Sequence, residues 1–371
     1  MQRAETAASL KKVREALAAA RAGLVARDVL VELVLLAAVA QEHLLIIGPP
    51  GTAKSLAARR AAQVFEARCF EYLLGRFTEP SEIFGPVDLR KLREGIVETE
   101  VGGMLPEADI AFLDEVFLGS SAILNTLLAL LNERTFRRGK STLRVPLRVC
   151  VGASNALPTD ETLSAFADRF LLRTFVEPLP DALLEDLLGA TPTKLTPLAS
   201  LADLDVLARA SDAVDLTAVR PVYAQSIRLL RQAGVDLSDR RLVRVQRLIA
   251  AATVLDGRTT AQADDLWPLI FALPSDETQA LGRTVLKKQL DESKSDTLGS
   301  AALEATRGRA ARAKLLEERA ATLLTADGPR DEGWRLQLEG LARDIDAAFS
   351  ADTLPESLRS RRELVLQTLK P

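Results

Sequence analysis

Leu44-Leu45-Ile46-Ile47-Gly48-Pro49-Pro50-Gly51-Thr52-Ala53-Lys54-Ser55 is the stretch on which the fold turns. Its four leading apolar residues read as a buried strand, and the residues from Leu56 to Val64 read as a helix. A Gly- and Pro-rich loop between a strand and a helix is the setting for phosphate binding. Backbone N–H groups of the loop and of the helix N-terminus converge there on an anion. Lys54 adds a point charge, and the Ser55 hydroxyl suits Mg²⁺. Position 53 departs from the general pattern, which has Gly where this chain has Ala. The expected phosphate-binding set is Gly48, Pro49, Pro50, Gly51, Thr52, Ala53, Lys54 and Ser55.

Downstream, Ala108-Asp109-Ile110-Ala111-Phe112-Leu113-Asp114-Glu115 is an apolar run ending in two acids. It reads as a buried parallel strand with its carboxylates at the C-terminal tip. Adjacent carboxylates repel unless a cation sits near them, and Mg²⁺ is the natural candidate. Asp114 is expected to hold the metal, directly or through water, and Glu115 to polarise an attacking water. A third apolar run, Leu147 to Asn155, ends in an amide. Asn155 is expected to bond either the γ-phosphate or the attacking water; a Ser-Asn pair at a strand end is otherwise a turn starter.

The chain has 371 residues, enough for two or three domains with large cores. A net charge of −3 supplies no basic field for nucleic acid. Aromatics make up only 4%, and abundant Ala, Leu and Arg favour helices. Cys69 and Cys150 both read as small buried hydrophobes of a reduced, cytosolic protein. With His43 as the one histidine, metal binding through cysteine is disfavoured, and His43 itself reads as structural or exposed. The longest apolar run, Val29 to Ala40, contains Glu32 and is too short to span a bilayer. The N-terminus lacks a signal-peptide plan, so a soluble cytoplasmic protein is expected.

Leu10, Val13, Leu17 and Leu24 recur at helical spacing in residues 1–24, and Asp28 is placed to cap a following helix through Ala40. Phe70 to Leu74 reads as a strand. Leu89 to Leu92 and Ile96 to Val101 flank Arg93-Glu94-Gly95 and read as an inserted hairpin. Ser120 to Glu133 is a helix with a broad apolar face. Thr135 to Leu147 reads as a second hairpin turning at Arg138-Gly139-Lys140-Ser141. Glu161 to Phe170 reads as a helix and Leu171 to Val176 as a last strand, with Pro178 and Pro180 marking a boundary. This alternation implies a three-layer α/β sandwich with a parallel sheet. Helices are then expected over Asp203 to Asp212, Ala218 to Ala233, Asp239 to Asp256 and Ala261 to Ala272. A charged helical region follows, with breaks near Gly299, Asp327-Gly328-Pro329 and Pro355.

The order of these motifs resembles a P-loop NTPase of the AAA+ class, and the details resemble the MoxR family, most of all its RavA branch. Ala before Lys in the phosphate loop is similar to the MoxR form. Arg76-Phe77-Thr78-Glu79-Pro80-Ser81-Glu82-Ile83-Phe84-Gly85-Pro86 resembles the RavA-type entry to an inserted hairpin. Leu113-Asp114-Glu115, Leu131-Asn132-Glu133-Arg134, Ala167-Asp168-Arg169-Phe170 and Ser238-Asp239-Arg240-Arg241 extend the match. The small β-rich domain of the RavA C-terminal part has no evident counterpart here.

That resemblance implies an AAA+ core over residues 1–180 with inserted hairpins at about 85–105 and 135–147. It implies an all-α lid over 195–275 and a C-terminal helical domain over 276–371. It further implies ATP and Mg²⁺ as ligands, with Ser55 and Asp114 on the metal and Glu115 as the catalytic base. Asn155 would be sensor 1, Arg169 the arginine finger reaching a neighbour's γ-phosphate, and Arg240 the sensor 2 arginine, with Arg241 beside it as the alternative. A homo-hexameric ATPase that remodels a partner protein is expected, working with a von Willebrand factor A (vWA) domain protein. The basic second hairpin, with Arg134, Arg137, Arg138, Lys140 and Arg144, motivates a nucleic-acid motor or loader as the runner-up. A nucleotide-gated scaffold is the third reading.

Overall fold

Side chains along the buried strands alternate between two cores, and this alternation builds three layers. In β1 (Leu44–Ile47), Leu44 and Ile46 join one core while Leu45 and Ile47 join the other. In β3 (Ile110–Asp114), Ile110 and Phe112 separate from Ala111 and Leu113 in the same way. In β6 (Val149–Ser154), Val149, Val151 and Ala153 oppose Cys150. With β2 (Cys69–Leu73) and β7 (Leu172–Phe175) these strands form a five-stranded sheet in the order β2-β3-β6-β1-β7, and every adjacent pair is parallel. The computed structural model describes all residues except 1, 95–96, 139–140, 180–182, 191–194, 292, 326–331, 349–354 and 370–371.

The helices Gln2–Arg21, Asp28–Ala40 and Lys54–Val64 cover the first face, and Ser121–Glu133 and Glu161–Ala167 the second. The later helices Leu201–Asp212, Arg220–Gln232 and Asp239–Leu255 extend the first core rather than start a new one: Leu204, Leu230 and Leu248 lie in one cluster with Leu36 and Ile46. A third, separate core holds Leu316, Leu338, Ile345 and Val365 between the helices Gly299–Thr325, Glu332–Ala348 and Glu356–Leu369. The first of these helices kinks at Gly308 (φ 42°, ψ −154°). Among the described residues no helix is long and apolar enough to cross a membrane.

Several expectations need correction. Leu89–Arg93 is a short helix, not a hairpin strand, because the Asp88 carboxylate accepts the Arg90 and Lys91 N–H groups and caps it. Among the described residues the antiparallel pairing of this insertion lies at its neck, where Val87 bridges Thr99. Its proposed turn residue Gly95 lies outside the described residues. The second insertion is a hairpin of β4 (Thr135–Arg138) and β5 (Ser141–Arg144), with Thr135 opposite Arg144. Its turn residues Gly139 and Lys140, the boundary residue Pro180 and the break at Asp327-Gly328-Pro329 also lie outside the described residues. Asp28 is the first residue of its helix, and Arg27 occupies the cap position without a side-chain bond to the helix N-terminus. Pro268 divides the expected helix Ala261 to Ala272 into a 3₁₀ turn, Ala263–Leu266, and a short helix, Pro268–Phe271. Cys150 is buried as expected, but Cys69 is exposed because β2 is an edge strand.

Candidate nucleotide-binding site

The phosphate loop leaves the C-terminal end of β1, next to the ends of β6 and β7. The Gly48 N–H donates to the Ser154 carbonyl at 3.0 Å. A Cβ on Gly48 would stand 2.3 Å from the Val176 carbonyl, so only glycine lets the chain pass there. Gly51 takes φ +77°, and Ala53 takes a left-handed conformation (φ 62°, ψ 25°) at the helix cap. No side chain caps the helix Lys54–Val64, so its leading N–H groups are left for an anion. Lys54 is buried, and its ammonium donates to the carbonyls of Gly48 (2.5 Å) and Pro49 (3.3 Å). Thr52 Oγ1 donates to the same Pro49 carbonyl at 3.0 Å. An uncapped helix start above a loop folded around an ammonium fits a polyphosphate, and Ser55 lies in the first turn beside it.

Asp114 ends β3, and Glu115 follows it in the left-handed region (φ 48°, ψ 46°). Asp114 Oδ1 accepts the Glu115 N–H at 3.0 Å, and Glu115 Oε1 accepts from Asn155 Nδ2 at 2.6 Å. The structure thus brings three expected site residues, Asp114, Glu115 and Asn155, together at the C-terminal edge where the phosphate loop begins. Among the described residues no ammonium or guanidinium ion-pairs with Asp114, so its carboxylate, like the Ser55 hydroxyl in the phosphate loop, is an oxygen donor of the kind Mg²⁺ takes.

Arg169 is in a different place. It follows the helix Glu161–Ala167 and precedes β7, whose Leu172 lies opposite Leu44 and whose Phe175 lies opposite Ile47. About 10 Å of strand therefore separates the level of Arg169 from the start of the phosphate loop. The buried Nε of Arg169 has no hydrogen-bond partner, and no carboxylate ion-pairs with Arg169 among the described residues. Arg240 lies close to it. Burial, and then the charges of Arg169 and Arg244, hold the Arg240 guanidinium below its usual pKa. Arg240 is exposed and donates to Asn132 Oδ1 at 2.6 Å. Arg241, its alternative, is buried with its guanidinium committed to protein acceptors.

His43 is structural. Its Nδ1 accepts the Cys150 N–H at 3.0 Å, and its Nε2 donates to the Leu131 carbonyl at 3.0 Å. Burial first, and then the neighbouring Arg134 charge, push its pKa well below the usual value. Arg134 is not part of a basic hairpin tip, since it donates to the carbonyls of Gln41 and Arg148. Arg137 pairs with Glu133, and Lys140 lies outside the described residues. Arg27 was not expected at the site. Its Nε donates to the Thr52 carbonyl (3.0 Å) and its Nη2 to the Glu177 carbonyl (2.8 Å), bracing the phosphate loop from behind. A lone Arg before an apolar helix carries no motif, and only its proximity in sequence to Asp28 hinted at a helix boundary.

A parallel sheet ordered β2-β3-β6-β1-β7, with the phosphate loop on β1, is the architecture of the AAA+ ATPases. A crystal structure of a candidate ATPase from Cytophaga hutchinsonii has this fold, with a TM-score of 0.64 at 15% identity over 78% of this chain and 97% of that one. Sequence comparison narrows the class to a family. A profile described as "bpMoxR: MoxR domain in the MoxR-vWA-beta-propeller ternary systems" matches residues 11–214. An uncharacterised protein of Methanocaldococcus jannaschii is 34% identical over 262 residues, covering 69% of this chain and 68% of its own. The chaperone MoxR1 of Mycobacterium tuberculosis is 29% identical over 188 residues, 49% of each chain. The chain belongs to the MoxR family of AAA+ ATPases. The narrower RavA-type reading rests on the stretch Arg76 to Pro86 alone.

Proposed function

We propose that the chain hydrolyses ATP in a site completed by a second copy of itself. The position of Arg169 carries this reading: with Arg240, it stands at the end of the sheet away from Lys54, ion-paired to no carboxylate among the described residues. An arginine so placed is out of reach of its own phosphate loop. A guanidinium supplied by a neighbour stabilises charge on a transferred phosphoryl group. In this reading Gly48 to Ser55 hold the phosphates, and Ser55 and Asp114 hold the metal. Glu115, restrained by Asn155, orients and deprotonates the attacking water. Mg²⁺ supplies neutralisation of phosphate charge when bound. Arg240 serves as sensor 2, since the donors of Arg241 are already engaged.

Identical copies joined head to tail close into a ring when the rotation permits, and we place six copies in it. The division into a core (1–180), a lid (195–275) and a C-terminal helical domain (276–371) belongs to this proposal, as does a cytoplasmic location. The ring would remodel a partner protein in a chaperone-like manner. The description of the matching family profile favours a vWA-domain protein as that partner. ATP turnover measured alone, with a vWA-domain protein encoded alongside, and with nucleic acid tests the reading. Turnover that is raised by the vWA protein and indifferent to DNA or RNA is expected. Salt-sensitive stimulation by nucleic acid would establish the loader instead, and assembly with negligible turnover would establish a scaffold.

A further inference from the structure

Arg241 is almost fully buried at the start of the helix Asp239–Leu255, and each of its five N–H donors meets an acceptor. Nε donates to the Ala272 carbonyl at 2.7 Å. Nη1 donates to Asp168 Oδ1 at 2.7 Å and to the Asp168 carbonyl at 3.3 Å. Nη2 donates to the carbonyls of Leu171 (2.7 Å) and Phe170 (3.3 Å). One turn on, Arg244 donates to the Arg169 carbonyl at 3.4 Å and is itself held by the buried Glu42. Two arginines of one helix therefore bind the carbonyls of four consecutive residues, Asp168 to Leu171. That segment carries Arg169, and the neighbour of Arg241 in sequence is Arg240.

We infer that Arg241 is a positioning residue for the arginine pair. It fixes the backbone beneath Arg169 and the helix start bearing Arg240 as one rigid unit, presented to the adjoining copy. The geometry is directional: Arg241 serves the site its own chain completes in a neighbour, not the site on its own phosphate loop. A lysine at this position has three donors from one point and cannot reach the five acceptors that the guanidinium spans. Loss of the clamp lets Arg169 shift, and a displacement of about 1 Å costs on the order of a hundredfold in rate.

The inference rests on the proposed trans role of Arg169, and mixed assemblies of the full-length chain separate the two. A protomer with Arg169→Ala keeps its own loop and base but donates no finger. One with Glu115→Gln donates a finger but does not turn over. Each alone is inactive, and their mixture is expected to recover ATP turnover. Arg241→Lys placed in the Glu115→Gln protomer is expected to lower the recovered kcat about a hundredfold with KM unchanged. Placed in the Arg169→Ala protomer, where no finger is left to position, it leaves recovery intact. Equal loss in both placements would overturn the inference and make Arg241 a general structural residue, as would no loss in either. A control mixture that fails to recover would overturn the trans reading of Arg169, and this inference would fall with it. Should Arg241→Lys fail to fold by circular dichroism, Asp168→Asn and Arg244→Lys report through the same two placements.

Discussion

Glu115 combines a left-handed backbone (φ 48°) with a side chain restrained by Asn155 at 2.6 Å. A non-glycine residue held there costs about 1–3 kcal/mol, and such strain collects at working sites. Glu115→Gln keeps the shape and the Asn155 contact but removes the proposed base. It is expected to bind a fluorescent ATP analogue with unchanged affinity while kcat falls by about 10²–10⁴; full turnover would discard the assignment. His43 offers a test of a different kind. Its native pKa is depressed below 6.5, so in the window beneath that value the unfolded chain takes up a proton that the folded chain refuses. Stability from this group is complete above pH 6.5 and is lost as pH falls, by up to about 1.4 kcal/mol per pH unit. Urea midpoints of wild type should drop more steeply than those of His43→Gln between pH 6.5 and 5; parallel slopes would contradict the buried neutral imidazole. At this scale the placing of the phosphate loop and of Asp114 and Glu115 at strand ends was legible because each directly follows an apolar run. The separate fates of Arg240 and Arg241 were not: adjacent helical residues point about 100° apart, and only tertiary packing shows which of them faces inward.

Among elements, the buried parallel strands were easiest to read, since burial on both faces demands an unbroken apolar run. The insertion at Leu89 was misread because a spacing of three between Leu89 and Leu92 suits a helix as well as an irregular strand. The cap Asp88 was the signal that could have decided it. The junction between the early helices and the C-terminal region was also hidden. Glu32, wholly buried, accepts from Arg21 Nη1 (2.5 Å) and from the Ala301 N–H (2.7 Å) at the start of the helix Gly299–Thr325. An acid inside an apolar helix announces a buried partner without naming it, and these partners lie 11 residues before it and 269 after. Glu32→Ala leaves a half-buried guanidinium and an uncapped helix start, and should destabilise the fold by about 3 kcal/mol, read as a lowered urea midpoint. A change under about 0.5 kcal/mol, the range of ordinary surface substitutions, would show that the junction holds without it.

For the whole molecule, the AAA+ class was legible because its defining motifs are local and ordered along the chain. The distance of Arg169 from its own phosphate loop was not, because an arginine in sequence reads like any solvated charge; its role toward a neighbour was expected from the family resemblance alone and remains part of the proposal. Phosphate loop and Arg169 lie at opposite ends of the adjacent strands β1 and β7, and in the proposed reading two half-sites of different copies meet for turnover. The steady-state rate per protomer, followed as the protein is diluted at saturating Mg²⁺ and ATP, tests this most directly. Activity per protomer should rise with concentration, reach a plateau and vanish on dilution in step with dissociation followed by sedimentation. A rate per protomer that stays constant down to concentrations where the chain is monomeric would contradict the shared site.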